Sequence, residues 1–183
     1  LISPFNISIY PVHQKGPENI NKRLIEDHYL TKPFFITGPF VHSFIDSGRV
    51  GYIQFSSFTG TVTPEQMDYM LEKYQNCYGL ILDLRGNGGG YLNTCTQLAD
   101  EFLKDAELIV YTQDRQHEQH KMFATPEGKF ENVKLYVLID YESASASEIF
   151  AGAMQDNDRA TIVGSRSFGK GLVQELFSLA DGS

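Results

Sequence analysis

The sequence predicts an α/β fold with a largely parallel sheet flanked by helices. Short apolar runs typical of buried strands alternate with segments of helical periodicity, and this alternation indicates strand–helix–strand units. The 183 residues suffice for one domain with an appendage, and 42% hydrophobic with 21% charged residues is typical of a folded globular protein. The formal net charge of −8 and the lack of any basic run argue against a nucleic-acid-binding surface.

Residues 1–47 are predicted to be irregular, either a linker or the remnant of a preceding domain. Asn6–Tyr10 alternates polar and apolar residues like a strand and is stopped by Pro11. No apolar stretch approaches the roughly 20 residues that span a bilayer, and no signal peptide is visible. The chain begins without Met and stops in the turn-like Asp181–Ser183, so we expect a fragment trimmed at one or both ends.

Residues 48–183 carry the regular pattern. Val50–Phe55 is predicted to be a strand, and the next helix has a well-marked start, with Thr63 as N-cap, Pro64 at the first helical position and Gln66 completing a capping box. Its apolar residues recur at helical spacing and predict one buried face, formed by Met67, Met70, Leu71 and Tyr74.

The rest of the chain continues the alternation of strands and helices. In order, we predict the strand Leu80–Leu84, a helix reaching Leu103, the strands Glu107–Tyr111 and Lys134–Ile139, the helix Ser145–Gln155 and the strand Ala160–Val163. The two cysteines, Cys77 and Cys95, are expected to be buried free thiols, because one pair is too few to indicate an oxidising compartment.

Three segments follow predicted strands, where sites gather in parallel sheets: Asp83–Gly90, Asp140–Glu148 and Gly164–Gln174. The Gly-rich turn of the first exposes backbone N–H groups that can hold a developing oxyanion. The serines of the second stand at a helix start, where orphan N–H groups and the helix dipole favour negative charge; as the bland alternative, Ser143 is simply an N-cap.

Two other motifs weakly suggest a phosphate-binding loop and a metal site. Gly164–Gly171 nearly matches a phosphate-binding loop, but Gly171 stands where that loop needs a Ser or Thr for Mg²⁺. His117 and His120 do not have metal-ligand spacing and lie in a charged, solvated stretch. We therefore predict neither a metal nor a cofactor.

Together the segments resemble the carboxy-terminal processing, or tail-specific, proteases, a family of serine peptidases with a Ser-Lys pair. Each block alone is unspecific, but their order and spacing carry the resemblance over about residues 48–183: Gly51–Ile53, Leu82–Arg85 with its Gly-rich turn, Ser143–Glu148, Ala151–Asp156, Ala160–Gly164 and Phe168–Gly171. The resemblance implies a crotonase/Clp protease-like core. It also implies a PDZ-type neighbouring domain outside this chain, of which residues 1–47 would be a remnant, with residues 48–183 as a catalytic core truncated at its C-terminus.

The resemblance also implies the site residues. Ser145 matches the nucleophile, Lys170 the general base and Gln174 the residue that positions the lysine. The oxyanion donors would be the amides of Ala146 and, as the best match within the Gly-rich turn, Gly89.

Two acidic residues, Glu148 and Asp156, match supporting polar positions near the site of the relatives. The implied substrates are protein C-termini, and the implied location is extracytoplasmic, in the bacterial periplasm or envelope.

The chemistry would be peptide hydrolysis through an acyl-enzyme. A lysine acts as a base only as the neutral amine, which burial favours, and Gly169 and Gly171 let the chain bend Lys170 inward. One alternative is a crotonase-type acyl-CoA enzyme, which would use the turn as an oxyanion hole without the Ser-Lys pair. Another is a degenerate module that only binds peptides, although the retention of Ser145, Lys170 and Gln174 argues against it.

Overall fold

The computed structural model describes residues 35–37, 40–45, 48–59 and 64–173 of the chain. Its strands are β1 (Phe35–Thr37), β2 (Phe40–Ile45), β3 (Val50–Phe55), β4 (Gly79–Asp83), β5 (Leu108–Gln113), β6 (Gln119–Phe123), β7 (Lys134–Ile139) and β8 (Ala160–Gly164). Its helices are α1 (Pro64–Glu72), α2 (Leu92–Asp100) and α3 (Ala146–Asp156).

A six-stranded sheet in the order β1-β2-β3-β4-β7-β8 forms the centre of the described residues. The pairs β3/β4, β4/β7 and β7/β8 are parallel, whereas β1/β2 and β2/β3 are antiparallel. The predicted α/β class with a mostly parallel sheet is confirmed. The three parallel pairs matter most, because they bring the carboxyl ends of β4, β7 and β8 to one edge.

The described parts of the N-terminal segment form two short strands. Residues 35–37 form β1 and residues 40–45 form β2, both of which join the sheet, and Phe40 and His42 are 2% and 1% exposed. Both strands fall within residues 1–47, which were expected to be irregular. The predicted strand Asn6–Tyr10 lies outside the described residues.

The helix after β3 has the predicted apolar face. Met67, Met70 and Leu71 are at most 2% exposed, and Pro64 is the first residue of α1. The proposed N-cap, Thr63, lies outside the described residues. Tyr74, which follows the helix, is 1% exposed and packs over Gly51, where a Cβ would overlap its ring.

Tyr74 also forms the main polar contact beneath α1. Its hydroxyl lies 2.7 Å from Nδ1 of the buried His42. Burial and the nearby Lys73 lower the pKa of His42, and burial raises the pKa of Tyr74. The surrounding side chains are otherwise apolar, so this region is a conventional hydrophobic core.

The predicted strand Glu107–Tyr111 is found as β5, at Leu108–Gln113. It lies outside the six-stranded sheet and pairs antiparallel with β6 in a separate two-stranded sheet. The sequence gives little sign of β6, since four of its five residues are exposed and no apolar alternation marks it. His117 and His120, at this hairpin, are exposed.

The cysteines are both free. Cys95 is fully buried, and Cys77 is partly exposed. Within the part of the chain that the structure describes, no helix combines the length and apolar character needed to cross a membrane.

Candidate active site

The three segments predicted to gather at the carboxyl edge of the sheet do meet there. Gly86 N–H donates to Asp140 Oδ1 at 3.0 Å, which joins the turn after β4 to the loop after β7. Phe168 N–H donates to Ser143 O at 3.0 Å, which joins the segment after β8 to the same loop. The parallel topology thus creates one site from residues far apart in sequence.

The nucleophile candidate occupies the junction between this loop and α3. Ser145 is the N-cap of α3, and its φ of 56° and ψ of −113° lie in a region that L-residues rarely adopt. Such a conformation costs on the order of 1–3 kcal/mol and persists only where neighbouring contacts enforce it. The Ser145 side chain therefore projects from a sharp, held turn at the positive end of a helix.

Glu148 helps to hold the Ser145 backbone in this conformation. Its side chain is 2% exposed, and its Oε2 accepts the Ser145 N–H at 2.8 Å. The same oxygen accepts the Lys170 N–H at 2.8 Å, while Oε1 accepts Gly169 N–H at 2.6 Å and Ser167 Oγ–H at 2.7 Å. One buried carboxylate thus binds both the serine turn and the lysine segment.

These bonds fix how close the serine and lysine residues are. Because the amide nitrogens of Ser145 and Lys170 both lie 2.8 Å from Oε2, they are no farther apart than twice that distance. The Lys170 side chain is half-buried at this position. Gln174, the predicted positioning residue for the lysine, lies outside the described residues.

Gly164 determines the route of the chain into the lysine segment. Its φ is +134°, and a Cβ there would overlap the carbonyl oxygen of Ile139 in β7. Only glycine fits this conformation and this approach. At the end of β8 the backbone therefore lies directly against β7. The residues that follow then bind Glu148.

The Gly-rich turn lies directly against the nucleophile. Gly89 has a φ of +100°, and a Cβ there would come within 2.9 Å of Ser145 Cβ and 3.0 Å of Ala146 N. Ala146 N–H is the first amide of α3 and has no partner within that helix, as expected at a helix start. These positions suit a site for a developing oxyanion beside Ser145.

The Gly89 amide, our sequence-based choice for the second oxyanion donor, is engaged elsewhere. It donates to Asn87 Oδ1 at 2.9 Å. Among the described residues, the Gly88 and Gly90 amides donate no hydrogen bond. This conformation therefore does not support Gly89 as a donor.

Peptide geometry distinguishes these two remaining amides, because N–H and C=O point in opposite directions in a trans peptide. The Asn87 C=O points at the serine segment, so the Gly88 N–H points away from it. The Gly89 C=O accepts a hydrogen bond from Phe58 N–H at 2.9 Å, so the Gly90 N–H points away from Phe58. Gly90 is thus the better placed of the two.

Asp156, the other predicted supporting residue, is not at the site. It ends α3, about 15 Å along the helix from Ala146 at the usual rise per residue. The helical spacing explains the correction, because only the first turn of α3 faces the gathered loops. Partial burial raises the pKa of this carboxyl, which has no role in the geometry around Ser145.

Several residues that hold the site together were missed by sequence reasoning. Ser143, predicted as an N-cap, instead donates its hydroxyl to Leu84 O at 2.8 Å. Asp140 Oδ1 accepts amide hydrogens from Gly86, Glu142 and Ser143. Asn87 is fully buried within the turn; an Asn flanked by glycines was the one sequence signal that could have singled it out.

The strand end beside the turn carries a further buried carboxylate. Asp83 is 1% exposed and accepts the Tyr52 hydroxyl at 2.7 Å and two guanidinium nitrogens of Arg85. A buried carboxylate is stable when its oxygens are multiply bonded in this way. The arrangement fixes where the chain turns from β4 into the glycines.

No group of three or more metal-ligating side chains occurs in the described ranges. His42 contacts Tyr74, and His117 contacts Gln113, so both imidazoles bond outside the gathered loops. The Cys95 thiol lies beneath α3 and donates to Ala146 O at 3.1 Å; full burial raises its pKa. A buried thiol with a raised pKa is not a nucleophile, so Cys95 does not compete with Ser145 for that role.

Comparisons with known proteins find a family and several similar proteins. The model of Peptidase family S41 matches residues 49–183. A carboxyl-terminal-processing protease from Synechocystis is 42% identical over 164 residues, which cover 86% of this chain. The chloroplastic carboxyl-terminal-processing peptidase 1 of Arabidopsis thaliana is 34% identical over 144 residues, or 76% of this chain.

A solved structure is similar as well. The photosystem II D1 C-terminal processing protease superposes with a TM-score of 0.69 and 29% identity over 81% of this chain. All three are longer proteins: the matched parts span 38% and 29% of the two curated relatives and 42% of the solved chain.

Proposed function

Because the chain belongs to peptidase family S41, we propose that it is the catalytic core of a serine endopeptidase that cleaves proteins near their C-termini. The supporting observation is the Glu148 carboxylate, which binds the amides of Ser145 and Lys170 through a single oxygen atom. A nucleophile and a base held on one buried anchor suit Ser-Lys hydrolysis.

The proposed reaction starts with Lys170 as the neutral amine. Its Nζ takes the proton from Ser145 Oγ as that oxygen attacks the peptide carbonyl, giving a tetrahedral intermediate. Collapse breaks the C–N bond, the lysine gives its proton to the leaving amine, and an acyl-enzyme remains. Lys170 then takes a proton from water as the water oxygen attacks the ester carbonyl. The bond between the acyl carbon and Ser145 Oγ breaks, and the lysine returns its proton to Oγ, which regenerates Ser145 and neutral Lys170.

The proposed oxyanion hole consists of the Ala146 and Gly90 amides. Ala146 N–H stands at the start of α3, where the helix dipole favours negative charge. Gly90 replaces Gly89, because the Gly89 N–H is bonded to Asn87 Oδ1. One such donor typically contributes a factor of about 10²–10³ to kcat.

Glu148 would act as a positioning residue in this scheme. It holds the strained Ser145 backbone and the segment that carries the base, and it takes no part in proton transfer. Gln174 remains part of the proposal as the group that orients the lysine amine without adding charge.

The biological setting is also a proposal. The relatives' names point to C-terminal processing, and we extend that substrate class to this chain. We likewise propose a location outside the cytoplasm, which fractionation would test, and a catalytic core over residues 48–183 beside a PDZ-type domain. We include β1 and β2 in the proposed core, because they pair with its sheet.

The decisive experiment compares Ser145→Ala with Ser165→Ala on a quenched-fluorescence peptide that has an apolar C-terminus. Ser165 lies in an exposed part of the lysine segment and is a matched control. We expect Ser145→Ala to abolish cleavage with an unchanged melting temperature, and Ser165→Ala to remain active. Unchanged turnover in Ser145→Ala would refute the proposal and favour a mechanism without a serine nucleophile.

A further inference from the structure

We propose that Asn87 is a positioning residue that sets the direction of the oxyanion-hole amide; this inference rests on the function proposed above. Asn87 is 0% exposed, although Gly86 and Gly88 on either side are exposed. A fully buried amide side chain in a surface turn is unusual, because turns normally leave their polar groups to water.

Every polar group of Asn87 has a partner. Its Nδ2 donates to Phe55 O at 2.7 Å, at the end of β3, and its Oδ1 accepts Gly89 N–H at 2.9 Å. Its carbonyl oxygen accepts Ala144 N–H at 3.1 Å and Ser147 Oγ–H at 2.8 Å. One residue thus ties the end of a strand and the glycine turn to the start of the nucleophile helix.

These bonds determine which amide faces the reacting group. By accepting the Gly89 N–H, Oδ1 turns that peptide inward and away from the space beside Ser145. The next peptide is held by the bond from Phe58 N–H to Gly89 O, so its own N–H, on Gly90, points to the opposite side. Without Oδ1, the glycines would be free to adopt other turns.

The carbonyl bonds then set the distance between turn and helix. The buried Ser147 hydroxyl and the Ala144 N–H both donate to the Asn87 carbonyl oxygen. These two donors lie on either side of Ser145 in the sequence. A shift of the turn away from α3 would break both bonds. Asn87 therefore couples the direction of the Gly90 amide to the place of the nucleophile.

The test is a pair of matched substitutions in the protein at its native length, Asn87→Ala and Asn157→Ala. Asn157 caps the far end of α3, and its Nδ2 also donates to two backbone carbonyls, those of Leu108 and Ala153. Both variants should melt at a lower temperature. Only Asn87→Ala should lower kcat, by about 10²-fold with KM within a few-fold, since an oxyanion donor acts on the transition state.

A kcat in Asn87→Ala equal to that of Asn157→Ala would overturn the inference and leave Asn87 a purely structural residue. If Asn87→Ala does not fold, Ser147→Ala decides, because it removes only one bond to the Asn87 carbonyl. We then expect kcat to fall several-fold at unchanged KM, and an unchanged kcat would equally overturn the inference. Failure of the proposed function has a different signature, since the unmodified protein would then show no Ser145-dependent cleavage at all.

Discussion

The buried regions around Tyr74 and around Glu148 are held together by different kinds of interaction. Around Tyr74, apolar side chains of α1 belong to the same hydrophobic core as those of the central sheet, and the hydroxyl–imidazole contact with His42 is a polar exception in that core. Around Glu148, irregular loops are held by hydrogen bonds between buried polar side chains and backbone groups. The difference teaches that apolar packing stabilises the core, whereas hydrogen bonds in the polar region fix the backbone positions of Ser145 and Lys170.

The largest expected effect is at the base. Lys170→Arg keeps the positive charge but removes a group that can lose its proton, because guanidinium does not deprotonate in proteins. Cleavage of the fluorogenic peptide should fall at least about 10³-fold with little change in melting temperature. Lys104→Arg, at an exposed position, is the control; a Lys170→Arg enzyme with substantial activity would exclude this residue as the base.

Glu148→Gln comes next, because it affects both geometry and stability. The amide nitrogen of Gln cannot accept the N–H groups that one carboxylate oxygen now accepts. We expect kcat to fall about 10²-fold and the unfolding free energy by about 2 kcal/mol, as for a lost charged hydrogen bond. Urea unfolding and kinetics measure these two effects.

Glu107→Gln is the matched control for that substitution, since Glu107 accepts a single exposed backbone bond from Lys104. Glu107→Gln should leave both kcat and the unfolding free energy nearly unchanged. If Glu148→Gln lowers stability alone, the carboxylate does not position the reacting groups, and the contrast between the two regions is lost.

Tyr74→Phe should affect only the apolar region. It removes the hydroxyl that contacts His42 and preserves the packing of the ring over Gly51. We expect a loss of about 1 kcal/mol in unfolding free energy and an unchanged kcat. A fall in kcat beyond the unfolded fraction would show that the two regions are coupled.

The smallest expected effect is a pH dependence of stability. The pKa of His42 is lowered in the folded state by burial and by Lys73, so the unfolded chain binds this proton more readily. The contribution of His42 is complete above its ordinary pKa of about 6.5 and is lost as the pH falls below it. Melting temperatures from pH 7.5 down to pH 5 should decline more steeply in the parent protein than in His42→Gln; equal slopes would contradict the assignment.

Sequence patterns predicted the elements with strong periodicity. Lys134–Ile139 and the apolar face of α1 are found as predicted, because burial and period decide them locally. β6 was missed because its exposed residues carry no pattern, and the pairing of β5 could not be predicted because a strand's partner depends on the whole topology.

The site was predicted to the level of segments. Parallel topology placed the three loops at one edge, but it does not give the direction of a single amide. Gly89 was chosen by resemblance, and its N–H is turned by the Asn87 side chain, a contact that no sequence pattern shows. Asp156 was named as a supporting residue by resemblance, whereas the length of α3 places it at the far end of the helix.

The close approach of Gly164 to the Ile139 carbonyl limits which residues this position can carry. One extra methyl group there would act as a wedge between neighbouring strands, at a point that touches neither the serine nor the lysine. Displacing the strand end would move the following coil away from Glu148 and so separate Lys170 from Ser145. The proposed pairing of these two residues therefore depends on the space left by a missing side chain at Gly164, which itself carries no reactive group.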